Sequence, residues 1–325
     1  MPEGHSVHRI TRQFARHFVG HAVSASSPQG RFAGGAQDID GLTMTDARAV
    51  GKQMFLEFDH RLWLRVHLGM YGAWDFAGDI TVDATTASAS GRMGQTNQRG
   101  TVAGGQFEDS LSSIGAPRRL RMAENERLGA ELDTFPPEPV GAVRVRLLTK
   151  TAVADLRGPT ACEVLQPEQI QAIIAKLGPD PLVDGAEAGT DAEDRFVATV
   201  AKKPTPISLL LMDQSVVSGI GNVYRAEILF RAKLNPYTPG KLVPTDIVRE
   251  LWRDWAYLLE IGVRTGQMMT MDNLGSEEYA AALESRDARH FVYHREGKPC
   301  RVCGTAIVME LAASRKLYWC PRCQA

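Results

Sequence analysis

The sequence predicts an α+β fold in three parts: an N-terminal β-sandwich with a leading helix over residues 1–160, a helical region over 161–285, and a cysteine-closed hairpin over 286–325. Three observations predict it. Apolar residues recur at helical spacing at the start of the chain and again after Pro159, with short runs of strand length between them. Two Cys-x2-Cys pairs lie at the end. A length of 325 residues, 44% of them hydrophobic and 23% charged, is enough for two globular cores.

Taken in order, Val7, Ile10, Phe14 and Phe18 share one face of a helix over residues 5–19. Residues 54–58 and 62–68 are short apolar-rich runs separated by three polar residues, as in a β-hairpin, and 143–156 is a further strand-like stretch rich in Val and Leu. Residues 77–140 are dominated by Gly, Ala, Ser, Thr and Gln, then by charges, and end in Pro136-Pro137-Glu138-Pro139. So few core-forming side chains predict a flexible insertion in a sheet loop. Helices are expected at 167–177, 191–201, 206–214, 223–232 and 244–264, the last with Ile247, Leu251, Trp255 and Leu258 on one face. Residues 178–190, rich in Gly, Pro and Asp, read as a linker. No apolar run reaches 18 residues, so no membrane span is expected. The start, Met-Pro-Glu-Gly-His, lacks the basic and apolar regions of a signal peptide, and a cytoplasmic protein is the expectation.

Cys300, Cys303, Cys320 and Cys323 form two pairs separated by 16 residues. Each pair makes a tight knuckle, and four thiolates complete a tetrahedral zinc with no position left for water, so one structural zinc ion is expected. Disulfides are the alternative, disfavoured by the missing secretory signal. The fifth cysteine, Cys162, reads as a small core residue. Stretches 305–310 and 315–319 can pair as a hairpin between the knuckles, with Arg315 and Lys316 among the basic residues it carries. Although the net charge is −1, residues 195–241 hold seven Lys/Arg against two Asp/Glu, and residues 286–325 hold eight against three. Two locally basic segments in a neutral chain fit a polyanion-binding face. The turn Ser218-Gly219-Ile220-Gly221-Asn222 precedes the helix near Val223. Its glycines allow a tight turn, Asn222 is placed to cap the helix, and free N–H groups at a helix start attract phosphate, with Lys202 and Lys203 upstream.

Pro2-Glu3-Gly4, Gly51-Lys52 before a strand, Gly219-Ile220-Gly221-Asn222-Val223-Tyr224, Tyr293-His294-Arg295-Glu296-Gly297-Lys298-Pro299-Cys300 and the four-cysteine finger occur together in this order. The combination resembles the formamidopyrimidine-DNA glycosylase/endonuclease VIII family along nearly the whole chain outside 77–140. That resemblance implies a helix–two-turns–helix DNA-binding region at 161–285 and a zinc finger after it. It also implies a bifunctional glycosylase/abasic-site lyase of base excision repair, monomeric, acting on double-stranded DNA that carries damaged bases or abasic sites, and nucleoid-associated when bound. Removal of Met1 would free the secondary amine of Pro2, whose class of group titrates near about 7.7–8.0 and is partly nucleophilic at neutral pH. A chain that keeps Met1 carries an amide there instead. By the resemblance, Glu3 is general acid/base, Lys52 a proton donor and phosphate contact, Arg315 a phosphate ligand that assists δ-elimination, and Asn222 a DNA-backbone contact. A base drawn out of the duplex leaves a gap, and Met70 and Tyr71, beside His67, sit where the family places void-filling residues. Core packing at a strand end is the alternative role for that pair.

Gly4, Tyr71 and Arg225-Ala226-Glu227-Ile228-Leu229-Phe230 resemble the endonuclease VIII branch, which prefers oxidised pyrimidines, and Pro-Glu-Gly-His is similar to its actinobacterial members. The other branch carries an Arg-Arg-Phe wedge where this chain reads Asp155-Leu156-Arg157-Gly158-Pro159. Ser6 stands in place of a second N-terminal glutamate, and Gly69 in place of a glutamine. Two alternatives remain: the same chemistry on 8-oxoguanine or formamidopyrimidine, and a non-catalytic zinc-finger protein that binds DNA damage.

Overall fold

In the computed structural model, α1 (Gly4–His17) is the predicted leading helix, and Val7, Ile10, Phe14 and Phe18 are all buried. The structure describes residues 2–80, 113–115, 135–186 and 189–325. They form two units, one of Pro2 and the described residues of Ser6–Ala175, the other of Glu3–His5 and the described residues of Lys176–Ala325.

The first unit holds two antiparallel sheets. One orders its strands β1 (Ser24–Ser26), β7 (Val143–Leu148), β8 (Ala152–Arg157), β5 (Ala73–Gly78) and β6 (Ser113–Gly115); the other orders β2 (Met44–Val50), β3 (Gln53–Phe58), β4 (Leu62–His67) and β9 (Ala161–Leu165). A short helix, α2 (Ala33–Ile39), and α3 (Pro167–Ile174) complete it. One core joins both sheets to α1: Leu56, Leu64 and Val66 from one, Trp74, Phe76 and Leu156 from the other. Phe14 packs edge-on against Trp74 and Phe76 at 4.8 and 5.3 Å. Burying each such side chain stabilises the unit by roughly 1.5–3 kcal/mol. Cys162 packs against this core, and burial pushes its thiol up to about 12, which leaves it an unreactive packing residue.

Three expectations change here. The chain does not turn directly helical after Pro159: β9 first pairs with β4, Val66 opposite Cys162. The insertion expected at 77–140 begins later, because Ala77 and Gly78 still pair with Val153 and Ala152, and 113–115 returns to pair with β5. Most of that insertion, residues 81–112 and 116–134, lies outside the described residues. The stretch 143–156 is two strands, with Thr149 turning the chain through its hydroxyl and N–H bonds to Ala152.

The second unit is helical: α4 (Pro181–Asp184), α5 (Asp191–Val200), α6 (Ile207–Leu210), α7 (Asn222–Arg231), α8 (Thr245–Thr265), α9 (Ser276–Glu284) and α10 (Arg286–Arg289), then the hairpin β10 (Val308–Ala312) and β11 (Arg315–Trp319). Leu251, Trp255 and Leu258 of α8 are fully buried against Val216, Ile220 and Tyr224, so the predicted apolar face is the core face. The 206–214 helix shrinks to one turn. The segment read as a linker is anchored in its described part, since Gly178 N–H donates to Gln214 O at 2.8 Å and Ser218 N–H to Pro179 O at 3.0 Å. Among the described residues no helix is long and apolar enough to cross a membrane.

Candidate active site

Glu3 carries the most constrained carboxylate near the N-terminus. It is fully buried, and the N–H groups of Gly221 and Val223 donate to it at 2.8 and 2.9 Å, with Tyr224 N–H more distant at 3.5 Å. These are N–H groups at the start of α7, which no partner within a helix can satisfy. Glu3 therefore caps a helix 218 residues away in sequence. The sequence reading gave that cap to Asn222. Asn222 is instead the first helical residue, with Gly221 at the cap position and no side-chain cap there. Nor are these N–H groups free for phosphate, because the chain's own carboxylate fills the place an anion would take. Two glycines make the fit possible. A Cβ on Gly221 would lie 2.6 Å from Glu3 Oε1. Gly4 packs against Gly219, its N–H bonded to Gly219 O at 2.9 Å, and a Cβ on it would lie 3.0 Å from Gly219 Cα. Pro2 precedes Glu3 and is buried. The trans peptide bond between them holds their Cα atoms about 3.8 Å apart.

Asn222 faces the hairpin. Its Nδ2 donates to Lys316 O at 2.7 Å, while its Oδ1 accepts from Arg225 Nη2, which also donates to Lys316 O at 3.0 Å. Lys316 follows Arg315, which is exposed at the start of β11. The N-terminus of α7 thus assembles Glu3, Asn222 and the strand that carries Arg315 within one unit.

Glu227, two residues beyond Arg225, is fully buried. It accepts N–H bonds from Phe291 at 2.8 Å, Val292 at 2.9 Å and Tyr293 at 2.8 Å, and the Thr270 hydroxyl at 2.6 Å. Burial pushes its carboxyl up, and these four donors oppose the shift. It ties α7 to the segment leading into the cysteine hairpin. The sequence reading passed over the roles of both Arg225 and Glu227. Their signals were a charge three residues after Asn222, on the same helical face, and an acid directly before the apolar run Ile228-Leu229-Phe230.

The hairpin closes as expected, with β11 where it was predicted and β10 starting at Val308. The sulfurs of Cys300, Cys303, Cys320 and Cys323 all lie within 4.8 Å of one another, Cys300–Cys323 at 3.9 Å and Cys303–Cys320 at 3.5 Å. Tetrahedral zinc with Zn–S near 2.3 Å asks for sulfur separations of about 3.8 Å, so the cluster fits. Val302 N–H donates to Cys300 Sγ at 3.4 Å and Cys323 N–H to Cys320 Sγ at 3.5 Å, orienting the ligands. One structural zinc ion is held here, with no open position for chemistry.

The remaining predicted residues are carried by other elements. Lys52 sits at the tip of the two-residue turn joining β2 and β3, where Gly51 takes φ 58° as the first position of such a turn requires. His67 pairs in register with Gln53. Burial lowers its pKa, and the nearby charges of Lys52 and Arg65 lower it further. Met70 and Tyr71 are 57% and 74% exposed in the loop after β4, so they do not pack in a core. Gly69 takes φ 63°, and a Cβ there would collide with the Thr160 hydroxyl, which disfavours glutamine at this position. At the wedge position of the other branch, Arg157 is tied to Asp75 through both carboxylate oxygens, within β8. Lys202 is exposed just beyond α5, and Lys203 lies 3.8 Å from Asp213.

Comparison with known proteins agrees along the chain. Residues 1–103 match the formamidopyrimidine-DNA glycosylase N-terminal domain, 177–273 the formamidopyrimidine-DNA glycosylase H2TH domain, and 297–325 the zinc finger found in FPG and IleRS. Endonuclease 8 1 of Mycobacterium tuberculosis is 34% identical over 324 residues, covering 100% of both chains. Formamidopyrimidine-DNA glycosylase of Thermobifida fusca is 28% identical over 340 residues, covering 100% of this chain and 97% of that one. Among solved structures, the Lactococcus lactis Fpg in complex with abasic-site DNA superposes with a TM-score of 0.68 at 17% identity, over 99% of both chains. MutM (FPG) of Thermus thermophilus superposes with a TM-score of 0.63 at 20% identity, over 99% of this chain and 98% of that one. With a helix–two-turns–helix turn built around Glu3, a four-cysteine zinc hairpin and a relative matched from end to end, this chain belongs to the formamidopyrimidine-DNA glycosylase/endonuclease VIII family of base-excision-repair enzymes, which are DNA glycosylases with abasic-site lyase activity.

Proposed function

We propose that this protein excises oxidised bases, pyrimidines by preference, from double-stranded DNA as a monomer, through a Schiff base at Pro2, and cleaves the strand by β,δ-elimination. The observation that carries the reading is Glu3: a buried carboxylate held on the start of α7 and joined by one peptide bond to the candidate nucleophile. With Met1 removed, the Pro2 nitrogen attacks C1′ and the damaged base departs with the glycosidic bond electrons. The Glu3 carboxylate takes the proton that the Pro2 nitrogen loses on forming this bond and passes it to the sugar ring oxygen as the C1′–O4′ bond opens, leaving an iminium between Pro2 and C1′. Loss of a C2′ proton then expels the 3′ phosphate (β-elimination), and a second elimination releases the 5′ phosphate. Arg315 and Lys52 supply positive charge to the phosphates, Asn222 and Lys202 hold the backbone, and Met70 and Tyr71, with His67 at their base, fill the gap left by the displaced nucleotide. The exposure of Met70 and Tyr71 supports that last role. The engagement of Arg157 by Asp75 supports the pyrimidine branch, since no wedge protrudes from that strand. The protein acts in the cytoplasm, at the nucleoid.

Borohydride trapping tests the chemistry. Protein with verified Met1 removal should become covalently attached to duplexes carrying thymine glycol, 5-hydroxycytosine or an abasic site. Absence of a trapped species on all three would sink the mechanism and favour a non-catalytic damage-binding protein. Single-turnover rates on matched duplexes should favour the two pyrimidine lesions, and faster excision of 8-oxoguanine would reverse the branch assignment.

A further inference from the structure

Arg225 is the least explained charge in the second unit. It is fully buried in α7, and its Nε and Nη1 find no hydrogen-bond acceptor among the described residues. Burial lowers its pKa to about 10, and the like charge of Arg315 adds to the lowering. A buried, incompletely paired guanidinium is expensive to keep, so packing alone does not account for it. What it does make is specific. Nη2 donates both to Asn222 Oδ1 and to Lys316 O.

An asparagine amide has one accepting end and one end with two donors. With Oδ1 held by Arg225, the Asn222 amide cannot present its oxygen outward. One Nδ2 hydrogen goes to Lys316 O, and the second is left for another acceptor. The same guanidinium holds the carbonyl of the residue that comes after Arg315. We propose that Arg225 is a positioning residue, which fixes the Asn222 amide with its donor end outward and pins the Arg315-bearing strand beside it, so that both present donors to one DNA phosphate. This rests on the DNA-binding reading given above and adds a residue to it. Arg225 does not itself touch the phosphate; it acts through Asn222 and Lys316.

The test is a double-mutant cycle on a duplex containing tetrahydrofuran, an abasic-site analogue that the enzyme cannot cleave. Arg225→Met should weaken binding about tenfold, the size of one hydrogen bond to a charged oxygen. In an Asn222→Ala background it should weaken binding clearly less than tenfold, because only its hold on Lys316 is then left to lose. The slope of log K against log salt should be unchanged by Arg225→Met, and Arg225→Lys, which keeps a donor, should recover part of the affinity. Additive effects of the two substitutions, or a slope reduced by about 1, would make Arg225 a phosphate ligand in its own right and overturn the proposal. So would equal affinity of Arg225→Met and wild type. Zinc content and melting temperature are measured on every variant. If Arg225→Met does not fold, Arg225→Lys and Arg225→Gln take its place in the cycle, and loss of zinc in all three assigns the residue to the fold alone, against the proposal. Borohydride trapping of wild type on an abasic duplex is run alongside, so failure of the lyase chemistry is read separately from failure of the cycle.

Discussion

A methyl group at Gly221 would meet the Glu3 carboxylate, and that collision is the sharpest single-residue consequence of the site. Gly221→Ala should displace the carboxylate from its N–H donors and slow base excision on the order of a hundredfold, as expected for an ångström-scale misplacement. Zinc content should be normal. An excision rate close to wild type would mean that the position of Glu3 is not critical. His67 offers a second residue-level measurement. Burial, then Lys52, then Arg65 lower its pKa, so its NMR titration midpoint should fall below the ordinary value of 6.5. The unfolded chain then takes up the proton first on acidification, so this group makes stability fall as pH drops from about 6.5 toward the folded midpoint. Lys52→Ala should move the midpoint back up. No movement would place the Lys52 ammonium out of electrostatic range of the imidazole.

Between elements, buried side chains rather than strand or helix contacts join α7 to the segments around Thr270 and Phe291–Tyr293. Glu227 gathers three N–H groups and a hydroxyl from these two later segments onto one helix. In Glu227→Gln one side of the carboxylate becomes an amide nitrogen, which cannot accept, so donors are stranded in the interior. The expected loss is about 1–3 kcal/mol for each stranded group, read as a lower denaturation midpoint with the m-value unchanged. Stability equal to wild type would show that the segment repacks. The zinc hairpin invites a parallel measurement. Removing the ion with a chelator should release β11, and with it Arg315, so DNA affinity should drop while the first unit's sheets persist by circular dichroism. Affinity that survives verified zinc removal would separate Arg315 from the metal.

For the molecule as a whole, the described residues pack around separate cores. One joins α1 to both sheets, a second lies among the helices of the second unit, and a smaller third lies beside the cysteines. Chains with separate cores need not unfold in one step. Calorimetry should resolve more than one transition, and chelation should lower only the one that belongs to the second unit. A single transition shifted as a block would mean the cores unfold together.

Local spacing was enough for much of this. The helical periods of α1, α5, α7 and α8 could be read within a turn, and so could the four zinc ligands, because each knuckle is closed by residues three apart and asks nothing of the rest of the chain. The strands Ser24–Ser26, Met44–Val50 and Ala161–Leu165 were not legible, since short half-buried segments acquire strand structure only from the partners they pair with. The order of Pro2-Glu3-Gly4, Gly219 to Tyr224 and the four cysteines pointed to the family. The contacts of Glu3 could not be read from that order: a carboxylate at the third residue and a turn 218 positions later meet only when packing brings them together. The same holds for the exposure of Met70 and Tyr71 and for the amide that Arg225 holds in place. Periodicity and ligand spacing are properties of neighbours in the chain, whereas the orientation of a side chain at a site depends on atoms that only the folded structure brings near it.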